Sequence, residues 1–593
     1  MKKVWIGLAA AIILAAALIF LTQKRQGSAA ADDLAEYVPQ DALLLVSLTN
    51  LNTITDTFAT TPLGQFFSKE SIHAILADMG GTPEDSQAYD QWFDNIANTM
   101  KNPAFRAAFG DDLTIAVLPP DVQLFKDNPE QALRRSVLVY ATTNTAAAAE
   151  LFGGMAKGVD ISKEQAEGLE LTRIQVDNGK ETFYGYSTKG VVLLSPDKAP
   201  VIAGVKAKES GAFLKAKSGF QEASDFWKGA STAETYSRGY YNVAAFTALL
   251  PQLDASEGSK EVVSYLQGLD YGYDVTTTMP KGLQNKSRLK INYGQLHEMI
   301  KAMVDGAEGG ATVPLSLVND KTLFFQWGYS FKPESLLKLM AAEDPEGYAN
   351  MQTEAQNLLG IPLEDAASAF GPRYGLVLND IVETGIFPMP DLTIFANVRN
   401  RSSMNSIAAV FNQQMAAYGL TGQQQQLAGN TELYSWPVMS EVGLVPALGL
   451  NDSLVFLGTM QSSMQPLLAN QNQANATLPA FFREQLGADM AAKLSKANGG
   501  AYLLRSALLA RKSQSAVELL TSLAAPSAGM NFSRLGQEIS RLMQATELVA
   551  GTSTAGKESI DWETLWIPAA NLPAAVPAQT APAAPPSGSS SGQ

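Results

Sequence analysis

Two stretches decide the reading of this chain: Ala108-Phe109-Gly110-Asp111-Asp112-Leu113-Thr114-Ile115-Ala116-Val117-Leu118 and Ala369-Phe370-Gly371-Pro372-Arg373-Tyr374-Gly375-Leu376-Val377-Leu378. In each, an Ala-Phe-Gly tripeptide precedes a short apolar run of strand-forming residues. The two tripeptides are 261 residues apart. Working outward, further landmarks recur in the same order. Val137–Tyr140 leads into a helical stretch ending near Leu151-Phe152, and Leu392–Phe395 leads into one ending near Val410-Phe411. Gly190–Leu194 matches Ser453–Leu457, and Tyr240-Tyr241-Asn242 matches Ala501-Tyr502-Leu503. Phe152 and Phe411 are 259 apart and Val192 and Val455 are 263 apart. Near-constant spacing over ordered landmarks is the mark of an internal repeat. Upstream, Asp41–Ser47 resembles Asp320–Trp327 at a spacing of 279, so one linker has changed length.

The end of each copy reads as a hairpin. Tyr271–Met279 alternates in strand fashion, Pro280-Lys281-Gly282 turns, and Arg288–Tyr293 returns. Its counterpart runs Glu547–Thr554, turns at Ala555-Gly556 and returns through Ile560-Asp561-Trp562. Short runs joined by tight turns favour antiparallel sheet with helices packed on it. The expected fold class is therefore α+β: two tandem duplicated units of mostly antiparallel sheet, preceded by one transmembrane helix. The expected boundaries are an anchor over 1–25, a linker over 26–36, and unit 1 over 37–294. A bridging helix and linker follow over 295–312, then unit 2 over 313–567 and a disordered Pro/Ala/Ser tail over 568–593. The bridging helix is expected to bury Leu296, Met299, Ile300 and Met303.

The membrane expectation rests on Val4–Leu21, eighteen residues without a charge, flanked by Lys2 and Lys3 before and Lys24 and Arg25 after. As a helix this run would cover about 27 Å, close to a bilayer's hydrocarbon thickness. Ala29 and Ala31 offer an Ala-x-Ala pattern, but Lys24 and Arg25 disfavour processing there. The expected location is the bacterial inner membrane, single-pass, with the bulk of the chain periplasmic. The alternative is secretion to the periplasm after signal cleavage.

Tyr37-Val38-Pro39-Gln40-Asp41-Ala42 opens an apolar strand, and a helix with Phe58, Thr61-Pro62-Leu63 and Phe66-Phe67 follows. Together they resemble the start of a bacterial envelope domain family of unknown function, whose members begin with a Val-Pro-x-Asp-Ala strand behind an N-terminal anchor. The second copy departs from that opening, since Lys321 follows Asp320 where the first copy has Ala42. The resemblance implies a location and an architecture; it carries no catalytic residue.

Composition excludes more than it assigns. The 593 residues include 43 Lys plus Arg against 58 Asp plus Glu, a formal charge of −15. An acidic surface repels phosphate backbones, so no nucleic-acid partner is expected. Without cysteine there are no disulfides, thiolate metal sites or cysteine nucleophiles. His73 and His297 are the two histidines, and neither has a ligand partner nearby in sequence, so both read as structural. No P-loop, dinucleotide fingerprint, HExxH or EF-hand loop is present; Gly556-Lys557-Glu558 lacks the hydroxyl a P-loop needs. Ser-x-x-Lys occurs at Ser195/Lys198, Ser287/Lys290 and Ser335/Lys338 without the partner motifs that make it catalytic. Acid clusters at Glu84-Asp85, Asp90 with Asp94, Glu343-Asp344 with Glu346, and Glu364-Asp365 read as solvated helix starts and loops.

No catalytic, cofactor or metal residues are assigned and no cofactor is expected. The candidate binding surface is aromatic: Phe325, Trp327 and Tyr329 on one strand face, with Tyr240 and Tyr241. The leading expectation is a non-catalytic envelope protein that binds or scaffolds, with another envelope protein as a possible partner. The alternatives are a carrier of an apolar ligand such as a lipid, suggested by Met299 and Met303, and a carboxylate-dependent hydrolase.

Overall fold

The computed structural model describes residues 34–570 except 50, 102, 104–105, 107–111, 143–158, 177–180, 189–190, 230–234, 309–312, 329–331, 386, 428, 471–477 and 520–531. The first half contributes ten strands: β1 Leu44–Thr49, β2 Asp112–Val117, β3 Val137–Thr142, β4 Val159–Ala166, β5 Leu169–Val176, β6 Glu181–Thr188, β7 Val191–Ser195, β8 Thr235–Tyr241, β9 Leu269–Met279 and β10 Gly282–Ile291. The second half contributes β11 Phe324–Gly328, β12 Phe370–Glu383, β13 Pro388–Val398, β14 Gln423–Leu427, β15 Thr431–Ser435, β16 Ala447–Leu450, β17 Leu454–Gly458, β18 Gly500–Leu504, β19 Thr546–Ala555 and β20 Ser559–Pro568.

All twenty strands belong to one antiparallel sheet. This corrects the expectation of two tandem units of mostly antiparallel sheet: the strands of both halves form a single sheet. The pairings order the first half β4-β5-β6-β7-β3-β2-β1-β8-β9-β10. They continue β20-β19-β18-β11-β12-β13-β17-β16-β15-β14. Each strand of the second half sits where the strand ten places earlier sits in the first. What joins the halves is β10–β20, paired antiparallel over Leu283↔Trp566 to Lys290↔Ser559. A free sheet edge exposes unpaired amides and carbonyls, and the return strands of the two terminal hairpins satisfy each other's.

Gly282 permits that seam. A Cβ there would lie 1.9 Å from the Trp566 carbonyl oxygen, so no larger residue fits. Across the seam Arg288 grips Asp561 with two hydrogen bonds, Nε to Oδ1 at 2.6 Å and Nη2 to Oδ2 at 2.8 Å. Its guanidinium also lies 5.7 Å from the Phe226 ring. A second tie comes from the helix Ser533–Gln544, which packs on the first-half helices Pro62–Phe66 and Lys69–Asp78. There Glu538, 1% exposed, lies between Arg534 and Arg541 at 2.8 and 3.0 Å. The Arg541 guanidinium also donates to Gln65 Oε1, and the Arg534 amide donates to Asp78 Oδ2 at 3.1 Å.

One face of the sheet carries both main cores. In the first half, Leu45, Ala116, Leu138, Tyr240 and Tyr273 pack with Val201, Ile202, Phe220 and Trp227 from helices Lys198–Ser210 and Ser218–Gly229. In the second, Phe325, Trp327, Val377, Phe395 and Phe456 pack with Met464, Phe482, Met490 and Leu494 from helices Gln461–Asn470 and Ala480–Lys496. Full burial of each such large side chain contributes roughly 1.5–3 kcal/mol. Helix ends follow local chemistry. Asp197 accepts from the Ala199 amide at 2.9 Å, and Gly211, at φ 77°, ends the same helix in the left-handed region where glycine carries no Cβ penalty.

Three further expectations change. Among the described residues no helix is long and apolar enough to cross a membrane. This overturns the expected transmembrane helix, signal-anchor and inner-membrane assignments as readings of the structure; residues 4–21, on which they rested, lie outside the described residues. The bridging helix spans Glu298–Glu308 but buries Ala302, Val304 and Ala307 and leaves Met299 and Met303 exposed. At the other end β20 runs through Pro568, the residue at which the expected tail begins, and residues 571–593 lie outside the described residues.

Candidate functional site

The expected aromatic surface does not assemble. Phe325 and Trp327 are 0% and 2% exposed. Trp327 stacks on Phe395 at 5.6 Å, and Phe395 lies 5.9 Å from Phe456. Tyr240, 2% exposed, meets Phe220 edge-on at 5.5 Å, and burial pushes its phenol up to about 12. Tyr241 faces the other way, half in solvent, and donates to Asp274 Oδ1 at 2.6 Å. Tyr329 lies outside the described residues. Strands β8 and β11 are six strand steps apart, about 29 Å at ~4.8 Å each. Alternation correctly put Phe325 and Trp327 on one strand face; that face is the core face.

The residues weighed for catalysis are engaged locally. His73 Nε2 lies 2.8 Å from Asp90 Oδ1, and Lys69 Nζ lies 2.7 Å from Asp94 Oδ2. The His297 ring packs 4.3 Å from Tyr265. Asp85 Oδ2 accepts from the Thr82 amide and hydroxyl, both at 2.9 Å, which holds its carboxyl below the usual range. Glu364 and Asp365 occupy the first turn of the helix Leu363–Ser368, and Glu364 accepts from Tyr348 and Gln352. Ser195 Oγ donates to the Val137 carbonyl at 2.7 Å. Ser335 and Lys338 share the helix Pro333–Glu343. Among the described residues no group of three His, Asp or Glu is arranged to hold a metal. A hollow of about 360 Å³ between Gln352, Gln356, Pro362 and Glu364 is open to solvent.

The sheet's second face presents a different feature. Leu457 pairs directly with Ile394, and Ile394 with Leu376. Leu457 and Ile394 are 43% and 50% exposed, and Leu376 is half-buried. Their neighbours two residues along, Val455 and Ala396, are covered by the helix Arg401–Ala417 through Met404 and Ala408, with Trp436 and Leu448. The apolar row thus emerges from beneath that helix into solvent. The first half has the same row at the equivalent strands: Leu194↔Val139↔Ile115↔Val46, all half-buried. The sequence signal existed, since these positions alternate with the core positions in each strand. Alternation cannot say which of two apolar faces is covered.

The core face also differs between the halves. Phe395, Gly375, Trp327 and Ala501 form one cross-strand row in the second half. The equivalent row in the first is Tyr140, Thr114, Ser47 and Arg238, all buried, with Ser47 and Thr114 hydroxyls 2.8 Å apart. Burial drives the Tyr140 phenol well above its ordinary value. This polar row was missed because each member is an unremarkable strand residue until the register aligns them.

No family model matches the chain, and no curated protein matches it. Among solved structures the chain is similar to three crystal forms of TP0453. Form III has a TM-score of 0.22 at 7% identity, over 43% of this chain and 79% of that one. Form IV has 0.21 at 11%, over 44% and 83%. Form I has 0.22 at 7%, over 47% and 87%. Likeness at that level carries no argument about function, and the physical reading of the sheet stands without it.

Proposed function

We propose that this chain is a non-catalytic binding protein that holds a ligand of the acyl-chain class on the second face of its sheet, over Leu457, Ile394 and Leu376. The observation that supports it is the exposed row itself. Two large aliphatic side chains, directly paired, stand 43% and 50% in solvent beside residues that a helix covers. Exposed apolar surface of this kind is stabilised by an occupant. The strip is one residue wide and spans three strands, about 10 Å. That is narrow for a protein interface, which takes roughly 800 Å² from each partner, and suits a single alkyl chain.

The test is titration of the purified chain with a fluorescent fatty acid, dansyl-undecanoic acid, followed by displacement with unlabelled palmitate. Saturable, palmitate-displaceable enhancement is expected. Absence of any saturable signal, in a folded sample, removes the proposal.

A further inference from the structure

Every sheet ends in two edges, and this one treats its edges differently. At one end β4 pairs only with β5 among the described residues. It carries Asp160, Lys163 and Glu164; Lys163 pairs with Glu170 at 3.1 Å, and Glu164 with Lys198 at 2.9 Å. Charge on an edge strand is a common defence against pairing with another chain. At the other end β14 pairs only with β15 among the described residues, and its sequence is Gln423-Gln424-Gln425-Gln426-Leu427. All four glutamines are exposed, and the strand has no charge, proline or bulge to discourage an added strand.

The surroundings extend the contrast. From Ser402 to Thr431, thirty residues, there is no Asp, Glu, Lys, Arg or His, in a chain that is 17% charged. Tyr418, five residues before β14, is 81% exposed, the highest value among the exposed large apolar side chains of the described residues. Most of a molecule of charge −15 repels its own copy. This corner does not.

We propose that β14 is a pairing edge through which two copies of this chain join, their β14 strands lying antiparallel across a two-fold axis. A two-fold contact places the same patch against itself, so the patch must be self-complementary. A run of glutamines meets that requirement: each side chain carries both an amide donor and a carbonyl acceptor. Two-fold antiparallel pairing centred on Gln424 or on Gln425 puts three of the four glutamines opposite glutamines. It brings no like charges together and satisfies the free backbone groups of both edges.

The cysteine-free chain makes the test clean. Gln424→Cys, Gln425→Cys and Gln426→Cys are made singly in the full chain and oxidised under mild conditions, with Glu164→Cys on β4 as control. Directly opposed residues on antiparallel strands have Cα atoms about 4.5–5.5 Å apart, within disulfide reach. At least one β14 variant is expected to form a covalent dimer in more than half of the molecules, with the β4 control below one tenth. Sedimentation velocity of the unmodified full chain in mild detergent should show a concentration-dependent dimer. The double variant Gln424→Lys/Gln426→Lys should weaken it at least tenfold without changing circular dichroism. A monomer at 50 µM, equal cross-linking at β4 and β14, or a dimer unaffected by the lysines would overturn the proposal, the first two also in the case where β14 serves a different partner.

Discussion

Replacing Ile394 and Leu457 together by threonine tests the binding row most directly. Threonine is β-branched like Ile394 and introduces β-branching at Leu457, so both positions retain strand preference while most of the exposed apolar surface is removed. Full burial of an Ile or Leu side chain is worth roughly 1.5–3 kcal/mol. The two residues are 50% and 43% exposed, so an occupant covering what remains would recover about 1 kcal/mol from each. Losing both costs about 2 kcal/mol of binding, close to thirtyfold in Kd. The surface already open to solvent contributes little to folding, so the melting temperature should fall by no more than about 3 °C. The assay is fluorescence titration with dansyl-undecanoic acid on parent and variant, alongside differential scanning calorimetry. The reasoning fails if the folded double variant binds within threefold of the parent. It also fails if the loss of binding tracks a large loss of stability, because the row would then be core.

The ties between the halves make further predictions. Gly282→Ala drives a methyl group into the Trp566 carbonyl and should strain the pairing of the terminal hairpins, lowering stability by about 1–3 kcal/mol in urea unfolding; a midpoint unchanged from the parent's would contradict the geometry. Glu538→Ala leaves the buried Arg541 and the partly buried Arg534 without their shared carboxylate and should cost about 3–5 kcal/mol, whereas loss of an exposed pair such as Lys260–Glu257 should cost under about 1 kcal/mol. Asp391 is 5% exposed, with Oδ1 lacking a partner and Oδ2 accepting from Ser463 at 2.5 Å; burial raises its carboxyl above the ordinary 3.8, and Asp380 opposite adds to this. A raised carboxyl contributes stability that is complete below that ordinary value and lost as pH rises through the raised one. Asp391→Asn should therefore be more stable than the parent at pH 7, with the gap closing toward pH 3.5, and a constant gap across that range would show the charge is irrelevant.

Much of the strand pattern could be read from local chemistry. The apolar runs at 113–117, 137–140, 191–194 and 240–241, and their counterparts at 374–378, 392–395, 454–457 and 501–503, lie on strands of the sheet, and both terminal hairpins turn where Pro280-Lys281-Gly282 and Ala555-Gly556 suggest. The register between strands was hidden, because it depends on partners hundreds of residues away. That is why alternation offers Phe325, Trp327 and Tyr240 as a candidate binding surface while the structure places them in the core, and why it gives Ile394 and Leu457 no distinguishing mark. Met299 and Met303 were placed on a buried helix face because helical spacing marks an apolar stripe without saying what lies against it.

Local sequence was sufficient for the periodicity, the turns, the acidic charge and the absence of thiol chemistry, since each depends on a few neighbouring residues. It could not reveal that the two series of strands close into a single sheet. That outcome rests on the β10–β20 seam, on Gly282 admitting the Trp566 carbonyl, and on Arg288 meeting Asp561, contacts that span more than 270 residues. Which apolar face is covered, and which edge is left bare, follow from the same long-range packing, because burial belongs to the assembled layers and to no single strand.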